Sequence, residues 1–149
     1  MSMKEVLLKK LHDRSAVVGV MGLGYVGMPL VVAFAEAGFT VIGVDPDGRK
    51  VETVRRGDSH IQDVPAEQVN RLVNAGLIRA TTDFAALAEA DCVSICVPTP
   101  LRKTGDPDMS FILSATGELA KYMHPGMIVV LESTTYPGTT REILLPKLG

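Results

Sequence analysis

The stretch GVMGLGYVGMPL, residues 19–30, places three glycines at the spacing G-x-G-x-x-G. They are Gly22, Gly24 and Gly27. In a dinucleotide-binding turn the first glycine makes the tight turn, and the second lets the backbone approach a pyrophosphate. The third lets a helix pack closely on the sheet. The same glycines could serve only a tight turn between two core elements, so the residues around them must decide.

The sequence around the motif favours dinucleotide binding. SAVVGVMG predicts a strand at about 15–21, and YVGMPLVVAFAEAG predicts a helix that ends at Gly38. Asp45 ends the next predicted strand, 18 residues after Gly27. This is close to the ~20 residues expected for the acid that binds the adenine ribose hydroxyls. The free N–H groups at the helix N-terminus would attract the phosphates.

The predicted cofactor is NAD rather than NADP. A carboxylate at the end of the second strand, here Asp45, repels the 2′-phosphate that distinguishes NADP. Arg49 and Lys50 follow closely and leave NADP open as an alternative. Lys50 would otherwise serve the ribose or phosphate side of NAD, or face solvent.

The rest of the chain alternates between short β-branched runs and helical patterns. Five strands are predicted at about 15–21, 39–45, 77–82, 91–97 and 127–133. Strands alternating with helices indicate an α/β fold, and right-handed crossovers then predict a doubly wound, Rossmann-type parallel sheet with helices on both faces. An N-terminal helix with Val6, Leu7 and Leu11 on one face is predicted in residues 1–14, before a dinucleotide-binding domain in residues 15–149.

Composition and charge exclude several other classes of protein. A chain of 149 residues suits one domain, and a net charge of −2 gives no electrostatic footprint for nucleic acid. No apolar run approaches the ~18 residues that span a membrane. The start, MSMKEVLLKKLHDRS, is too charged for a signal peptide, so the expected location is the cytoplasm.

The cysteines and histidines do not indicate a metal site. Cys92 and Cys96 fall on one face of a predicted strand, where we expect small buried hydrophobes in a reducing compartment. His12, His60 and His124 lie far apart without metal-ligand spacing, so no metal is expected.

Two further segments follow predicted strands, at the edge where doubly wound sheets bind ligands. In VPTP, residues 97–100, Thr99 would hydrogen-bond the cofactor while Pro98 and Pro100 keep the turn rigid. A rigid loop with a solvated threonine explains the same pattern. ESTTYPGTT, residues 132–140, is rich in hydroxyls and precedes a predicted helix, so it is either a ligand contact, a helix cap, or both.

Together, GLGYVGMPL, Asp45, CVPTP and ESTTYPGTT resemble the N-terminal domain of the UDP-glucose/GDP-mannose dehydrogenase family. The resemblance covers the chain from about Ser15 onward. ATTDFAALAEAD and VLESTTYPGTT are most similar to the branch that acts on N-acetylated hexosamines, such as UDP-N-acetylglucosamine. The resemblance implies a cofactor site at Gly22, Tyr25, Val26, Asp45, Lys50, Thr99 and Thr134, and gives Thr134 a further role in positioning a catalytic water.

The resemblance also implies an activity for the parent enzyme. Members of the family oxidise the C6 alcohol of a nucleotide sugar to a carboxylate with two NAD⁺, through a thiohemiacetal on a catalytic cysteine. That cysteine and the sugar-binding regions are expected to lie beyond this chain, because Cys92 and Cys96 do not match it. We therefore expect a chain that binds NAD but is inactive alone. The full-length parent is expected to be a homo-oligomer that supplies polysaccharide synthesis.

Two other functions stay open at this point. One is the cofactor domain of another hydroxyacid-type dehydrogenase, with a small acid as its substrate. The other is a non-enzymatic NAD-sensing module that is complete in itself. A panel of hydroxy acids and UDP-sugars, tested on the full-length protein, would separate the first from a nucleotide-sugar dehydrogenase. A reading frame that continues beyond Gly149 into a segment with a catalytic cysteine would argue against the second.

Overall fold

The computed structural model describes residues 3–62, 64–96, 103–105 and 110–131. Five strands and five α-helices occur in these residues, together with one 3₁₀ helix, Phe84–Glu89. The strands are β1 (Val17–Met21), β2 (Thr40–Val44), β3 (Ile78–Thr81), β4 (Cys92–Ile95) and β5 (Ile128–Leu131). The helices are α1 (Met3–Asp13), α2 (Gly27–Glu36), α3 (Gly48–Arg55), α4 (Ala66–Asn74) and α5 (Ser110–Ala120).

All five strands belong to one parallel sheet, in the order β3-β2-β1-β4-β5. The chain moves outward from β1 to β3, then returns so that β4 pairs with the other side of β1. The predicted doubly wound, Rossmann-type fold is therefore confirmed. The reversal between β1 and β4 is the switch point beside which such sheets bind ligands.

The two faces of the sheet are covered by different helices. Helices α2, α3 and α4 pack on one face around Val18 and Val20. The 3₁₀ helix and α5 pack on the other, where Leu87 and Leu119 contact the side of the sheet that carries Met21. Burying apolar side chains on both faces is what stabilises a parallel sheet. Among the described residues, no helix has the length and apolar content to cross a membrane.

Local sequence signals explain where several elements begin and end. Gly38 follows α2 with a φ of +100°, a conformation that glycine adopts without strain, as predicted for this helix end. Asp47 caps α3, because its carboxylate accepts a hydrogen bond from the Arg49 N–H at 2.9 Å. Asp83 caps the next short helix through the Ala85 N–H in the same way, but that helix is 3₁₀ rather than α.

Helix α1 makes polar contacts with the edge of the sheet. Lys10 Nζ lies 3.0 Å from Asp91 Oδ1, and Asp91 Oδ2 accepts the Val17 N–H at 2.9 Å. Val6 and Leu11, two of the three residues predicted to share an apolar face, are 39% and 36% exposed, and the side chain of the third, Leu7, lies outside the described part of the chain. These two side chains therefore contribute little to the described core.

The two cysteines differ more than the sequence suggested. Cys96 is buried as predicted, whereas Cys92 is only partly buried. The expectation of two buried hydrophobes is therefore wrong for Cys92, which begins β4 and pairs with Ile128 of β5, a residue that is itself 43% exposed. Burial and the adjacent Asp91 carboxylate both raise the pKa of the Cys92 thiol, so it stays protonated at neutral pH.

His124 lies between two backbone carbonyls at the amino-end edge of the sheet, and the geometry predicts a pH-dependent stability. Nδ1 lies 3.0 Å from the Pro125 oxygen and Nε2 lies 2.7 Å from the Ala90 oxygen. Only the protonated ring can donate to both. The Pro125 contact, then the Ala90 contact, raise the pKa of His124, with a smaller contribution from Asp91. Lys10 and the partial burial of the ring oppose this shift.

The stabilisation from His124 should therefore be complete below its unfolded pKa and disappear as pH rises through the higher folded pKa. We expect His124→Ala to lose stability relative to the wild type at about pH 5 and to match it more closely at about pH 9. Urea unfolding at several pH values measures this difference. The exposed His12→Ala variant is the control, and a difference for His124→Ala that is independent of pH would contradict the prediction.

Candidate cofactor site

The glycine motif forms the connection between β1 and α2, at the carboxyl ends of β1 and β2. Gly22 has a φ of +101°, and its N–H donates to the Val44 carbonyl at 2.8 Å. A Cβ added to Gly27 would lie 1.6 Å from the Gly22 carbonyl oxygen. The tight turn predicted at Gly22 is confirmed. Gly27 also leaves no room for a side chain, but its nearest neighbour is the Gly22 carbonyl in the turn rather than a strand of the sheet. A side chain at Gly27 would therefore displace the Gly22 carbonyl and with it the turn.

The turn opens toward solvent at its second glycine. A Cβ added to Gly24 would meet no atom within 4 Å. The next two residues, Tyr25 and Val26, are 81% and 47% exposed, and the Val26 N-cap provides no side-chain hydrogen bond to α2. In the part of the chain that the structure describes, the N–H groups of Gly24, Tyr25 and Val26 have no partner. Such free N–H groups at a helix N-terminus bind anions.

Asp45 joins the turn to the end of β2. The side chain is only 6% exposed. Its Oδ2 accepts the Leu23 N–H at 2.8 Å, and its Oδ1 accepts the Asp47 N–H at 2.8 Å. Two carboxylate oxygens offer about four acceptor positions, so Asp45 can still accept hydrogen bonds from ribose hydroxyls. The sequence predicted that role, but it did not indicate that Asp45 also supports the turn itself.

Basic side chains near Asp45 belong to the first turn of α3. Arg49 is almost fully exposed and lies 3.7 Å from the Asp47 carboxylate, while Lys50 is partly buried. The Arg49 N–H holds the pKa of Asp47 below its usual value. The predicted site residues Pro98, Thr99 and Thr134 lie outside the described residues.

A cavity of about 340 Å³ adjoins the glycine turn, and the sequence did not predict it. Its lining includes Gly22, Val44, Pro46, Phe84, Ser114 and Glu118. These residues come from the ends of β1 and β2, the 3₁₀ helix and α5, so no local pattern could have joined them. The mostly apolar walls with two polar groups suit a flat heteroaromatic ring.

The other features of the described residues do not point to a second functional site. A larger cavity of about 620 Å³ lies beside β3, away from the glycine turn, where Arg55 Nε donates to the Ala80 carbonyl at 2.8 Å. Within the described ranges, no group of three or more histidine, cysteine or acidic side chains could hold a metal ion.

Comparison of the sequence with known proteins assigns the chain to a family. The sequence profile of the "UDP-glucose/GDP-mannose dehydrogenase family, NAD binding domain" matches residues 16–148. The chain belongs to this family of oxidoreductases. Its cofactor is NAD, and the turn at Gly22–Gly27, with Asp45 facing it, has the free N–H groups, the open space and the carboxylate that NAD requires.

Named relatives agree with the assignment. UDP-N-acetyl-D-mannosamine dehydrogenase of Escherichia coli (strain K12) is 40% identical over 129 residues, which is 86% of this chain and 30% of that protein. The crystal structure of NDP-N-acetyl-D-galactosaminuronic acid dehydrogenase from Methanosarcina mazei Go1 matches with a TM-score of 0.86 and 36% identity, over 99% of this chain and 33% of that one. The crystal structure of GDP-mannose dehydrogenase from Pseudomonas aeruginosa matches with a TM-score of 0.84 and 31% identity, over 88% of this chain and 31% of that one. The chain thus spans about a third of the length of the relatives it matches.

Proposed function

We propose that this chain is the cofactor-binding part of a nucleotide-sugar 6-dehydrogenase that oxidises the C6 alcohol of a UDP-N-acetylhexosamine to the carboxylate with two NAD⁺. The observation that carries the proposal is the Asp45 carboxylate, held at the end of β2 against the open glycine turn. The choice of an N-acetylated sugar is supported by the names of the Escherichia coli and Methanosarcina mazei relatives. Those names favour N-acetylmannosamine or N-acetylgalactosamine derivatives over the N-acetylglucosamine derivative that the sequence first suggested.

The cofactor-binding residues are part of the proposal. They comprise Gly22, Gly24, Tyr25, Val26, Gly27, Asp45, Lys50, Pro98, Thr99 and Thr134, within a dinucleotide-binding domain of residues 15–149 that follows the helix in residues 1–14. Thr134 additionally positions a catalytic water. The expected cytoplasmic location and the homo-oligomeric state of the full-length parent stay predictions.

Each described residue has a physical task in this proposal. The N–H groups of Gly24, Tyr25 and Val26 bind the diphosphate, and Asp45 accepts hydrogen bonds from the adenine ribose. The cavity beside Phe84 holds the adenine ring. NAD, when bound, supplies the hydride acceptor.

The described thiols are not suited to be the sulfur nucleophile of this reaction. Cys96 is buried in the core, and the pKa of Cys92 is raised by burial and by Asp91. A nucleophilic thiol needs an electropositive, accessible site that lowers its pKa. We therefore expect the chain alone to bind NAD without oxidising a nucleotide sugar.

Calorimetric titration of the 149-residue chain tests the proposal. NAD⁺ should saturate, and NADP⁺ should bind at least about tenfold more weakly, a difference of about 1.4 kcal/mol, because its 2′-phosphate would approach the Asp45 carboxylate. Adding UDP-N-acetylmannosamine with NAD⁺ should give no NADH from this chain. Equal affinity for NADP⁺ would contradict the role of Asp45. Steady NADH production would contradict the expectation that the chain alone binds NAD without oxidising a nucleotide sugar. A panel of UDP-sugars and small hydroxy acids, tested on the full-length parent, decides the substrate class.

A further inference from the structure

His60 lies in the connection between α3 and α4 and reaches across to the glycine turn. Its Nε2 contacts the Leu23 carbonyl oxygen. Because a carbonyl can only accept, Nε2 must carry a hydrogen. Nδ1 is buried and has no hydrogen-bond partner in the described part of the chain. A buried, unpaired nitrogen costs folding free energy, and the hydrogen bond from Nε2 to Leu23 offsets part of this cost.

The Leu23 residue is held on three sides. Its N–H donates to Asp45 Oδ2 at 2.8 Å, and its side chain is fully buried. That side chain lies so close to β2 that a Cβ added to Gly43 would be 2.7 Å from Leu23 Cδ2. The His60 contact fixes the third group, the carbonyl. Leu23 is thus the fixed point from which the turn extends to Gly24.

The orientation of the Leu23 carbonyl determines the orientation of the next N–H. The described residues contain no cis peptide bonds. In a planar trans peptide, the carbonyl and the following N–H point in opposite directions. With the Leu23 carbonyl directed at His60, the Gly24 N–H points away from His60. That N–H is unpaired in the described part, and the space beside Gly24 is open.

We propose that His60 is a positioning residue for the cofactor: its Nε2–H holds the Leu23 carbonyl so that the Gly24 N–H is directed at the diphosphate of NAD. The inference rests on the proposed function of the glycine turn. His60 itself touches neither the cofactor nor the substrate in this arrangement. The hydrogen bond from His60 fixes the orientation of the peptide between Leu23 and Gly24 before NAD binds. Binding therefore does not lose the conformational entropy of ordering this peptide.

Two variants of His60 separate positioning from a general structural role. His60→Leu removes the Nε2 donor and also removes the unpaired Nδ1. His60→Gln keeps an N–H₂ donor at about the position of Nε2. His12→Leu, an exposed histidine on α1, is the matched control for loss of an imidazole. Calorimetry gives the affinity for NAD⁺ and ADP, and ligand titration by NMR gives that for adenosine. The ¹³C resonance of the Leu23 carbonyl in the ligand-free chain reports its hydrogen bond.

His60→Leu is expected to weaken NAD⁺ and ADP binding roughly five- to tenfold, the loss typical of one hydrogen bond. Adenosine has no diphosphate, and its affinity should be unchanged. The Leu23 carbonyl resonance should move upfield in His60→Leu and return toward the wild-type position in His60→Gln, which should also restore NAD⁺ affinity. His12→Leu should change none of these quantities.

Several outcomes would overturn the assignment of His60. Wild-type NAD⁺ affinity in His60→Leu would do so, as would equal weakening of adenosine and ADP, which indicates a general disturbance of the fold. An unmoved Leu23 carbonyl resonance would show that His60 does not hold this group. A wild-type chain that binds no NAD⁺ would instead overturn the proposed function, and the carbonyl resonance would still decide whether His60 orients the turn.

Discussion

Replacing Gly27 with alanine is expected to destabilise the chain by about 3 kcal/mol or more, at the upper end of what overpacking costs. The added Cβ would lie 1.6 Å from the Gly22 carbonyl oxygen and 2.8 Å from its carbonyl carbon. Both atoms are backbone, so no side chain can rotate to make room. Since a native domain is stable by only about 5–15 kcal/mol, much of the population should be unfolded at moderate urea concentrations. Urea unfolding followed by circular dichroism measures the loss.

Gly24→Ala should give the opposite combination of effects. Its Cβ would enter open space, so the free energy of unfolding should change by no more than about 1 kcal/mol. NAD⁺ affinity should nevertheless fall, by about tenfold or more, because the methyl group would occupy the space through which the diphosphate reaches the backbone. Gly48→Ala is the matched control, since its Cβ also meets nothing within 4 Å but lies on α3.

The two substitutions together test the division of roles within the motif. A Gly27→Ala variant as stable as the wild type would mean that the turn can move to admit a methyl group at no cost in the free energy of unfolding. The close contact between Gly27 and Gly22 would then not be needed for stability. A Gly24→Ala variant with unchanged NAD⁺ affinity would mean that the diphosphate does not approach this part of the backbone. Loss of NAD⁺ binding in Gly48→Ala would show that the assay responds to any new methyl group.

The sequence could predict this motif because its information is local. Gly22 and Gly27 are five residues apart, and the strand before them and the helix after them each show their own periodicity. The strand order follows from the same kind of evidence, since right-handed crossovers between parallel strands leave few alternatives. The predicted doubly wound sheet needed no contact information, and the return of the chain that pairs β4 with β1 agrees with it.

The parts that the sequence could not predict depend on contacts between distant residues. Leu23 and His60 are 37 residues apart, and Lys10 and Asp91 are 81 apart, so no spacing rule connects either pair. The cavity at Phe84 needs the ends of strands and helices from the whole chain. The partial exposure of Cys92 is likewise a property of the folded sheet, which the continuous apolar run in β4 does not reveal.

Asp45 could be predicted as a cofactor residue from local spacing, but its support of the glycine turn depends on a contact between distant residues. Its replacement should therefore affect both stability and the choice of cofactor. Asp45→Ala leaves the N–H groups of Leu23 and Asp47 without their acceptors. The Leu23 N–H lies in a buried contact, so we expect a loss of about 1–3 kcal/mol in the free energy of unfolding. NAD⁺ affinity should fall about 10- to 100-fold, because charge-assisted bonds to the ribose are worth about 1.5–3 kcal/mol. NADP⁺ affinity should fall less, because repulsion of its 2′-phosphate disappears with the carboxylate.

Asp45→Asn separates the two roles of this side chain, because it keeps the volume and one acceptor but loses the charge. One amide oxygen can still accept from Leu23 or Asp47, while the N–H₂ group faces the other N–H and cannot bond to it. We therefore expect a smaller loss of stability than for Asp45→Ala, but a similar shift of the NAD⁺ to NADP⁺ affinity ratio toward equality. Asp83→Asn is the control, since Asp83 caps the 3₁₀ helix through the Ala85 N–H but is exposed. An unchanged affinity ratio in both Asp45 variants, with stability lowered, would show that Asp45 supports the turn without selecting the cofactor.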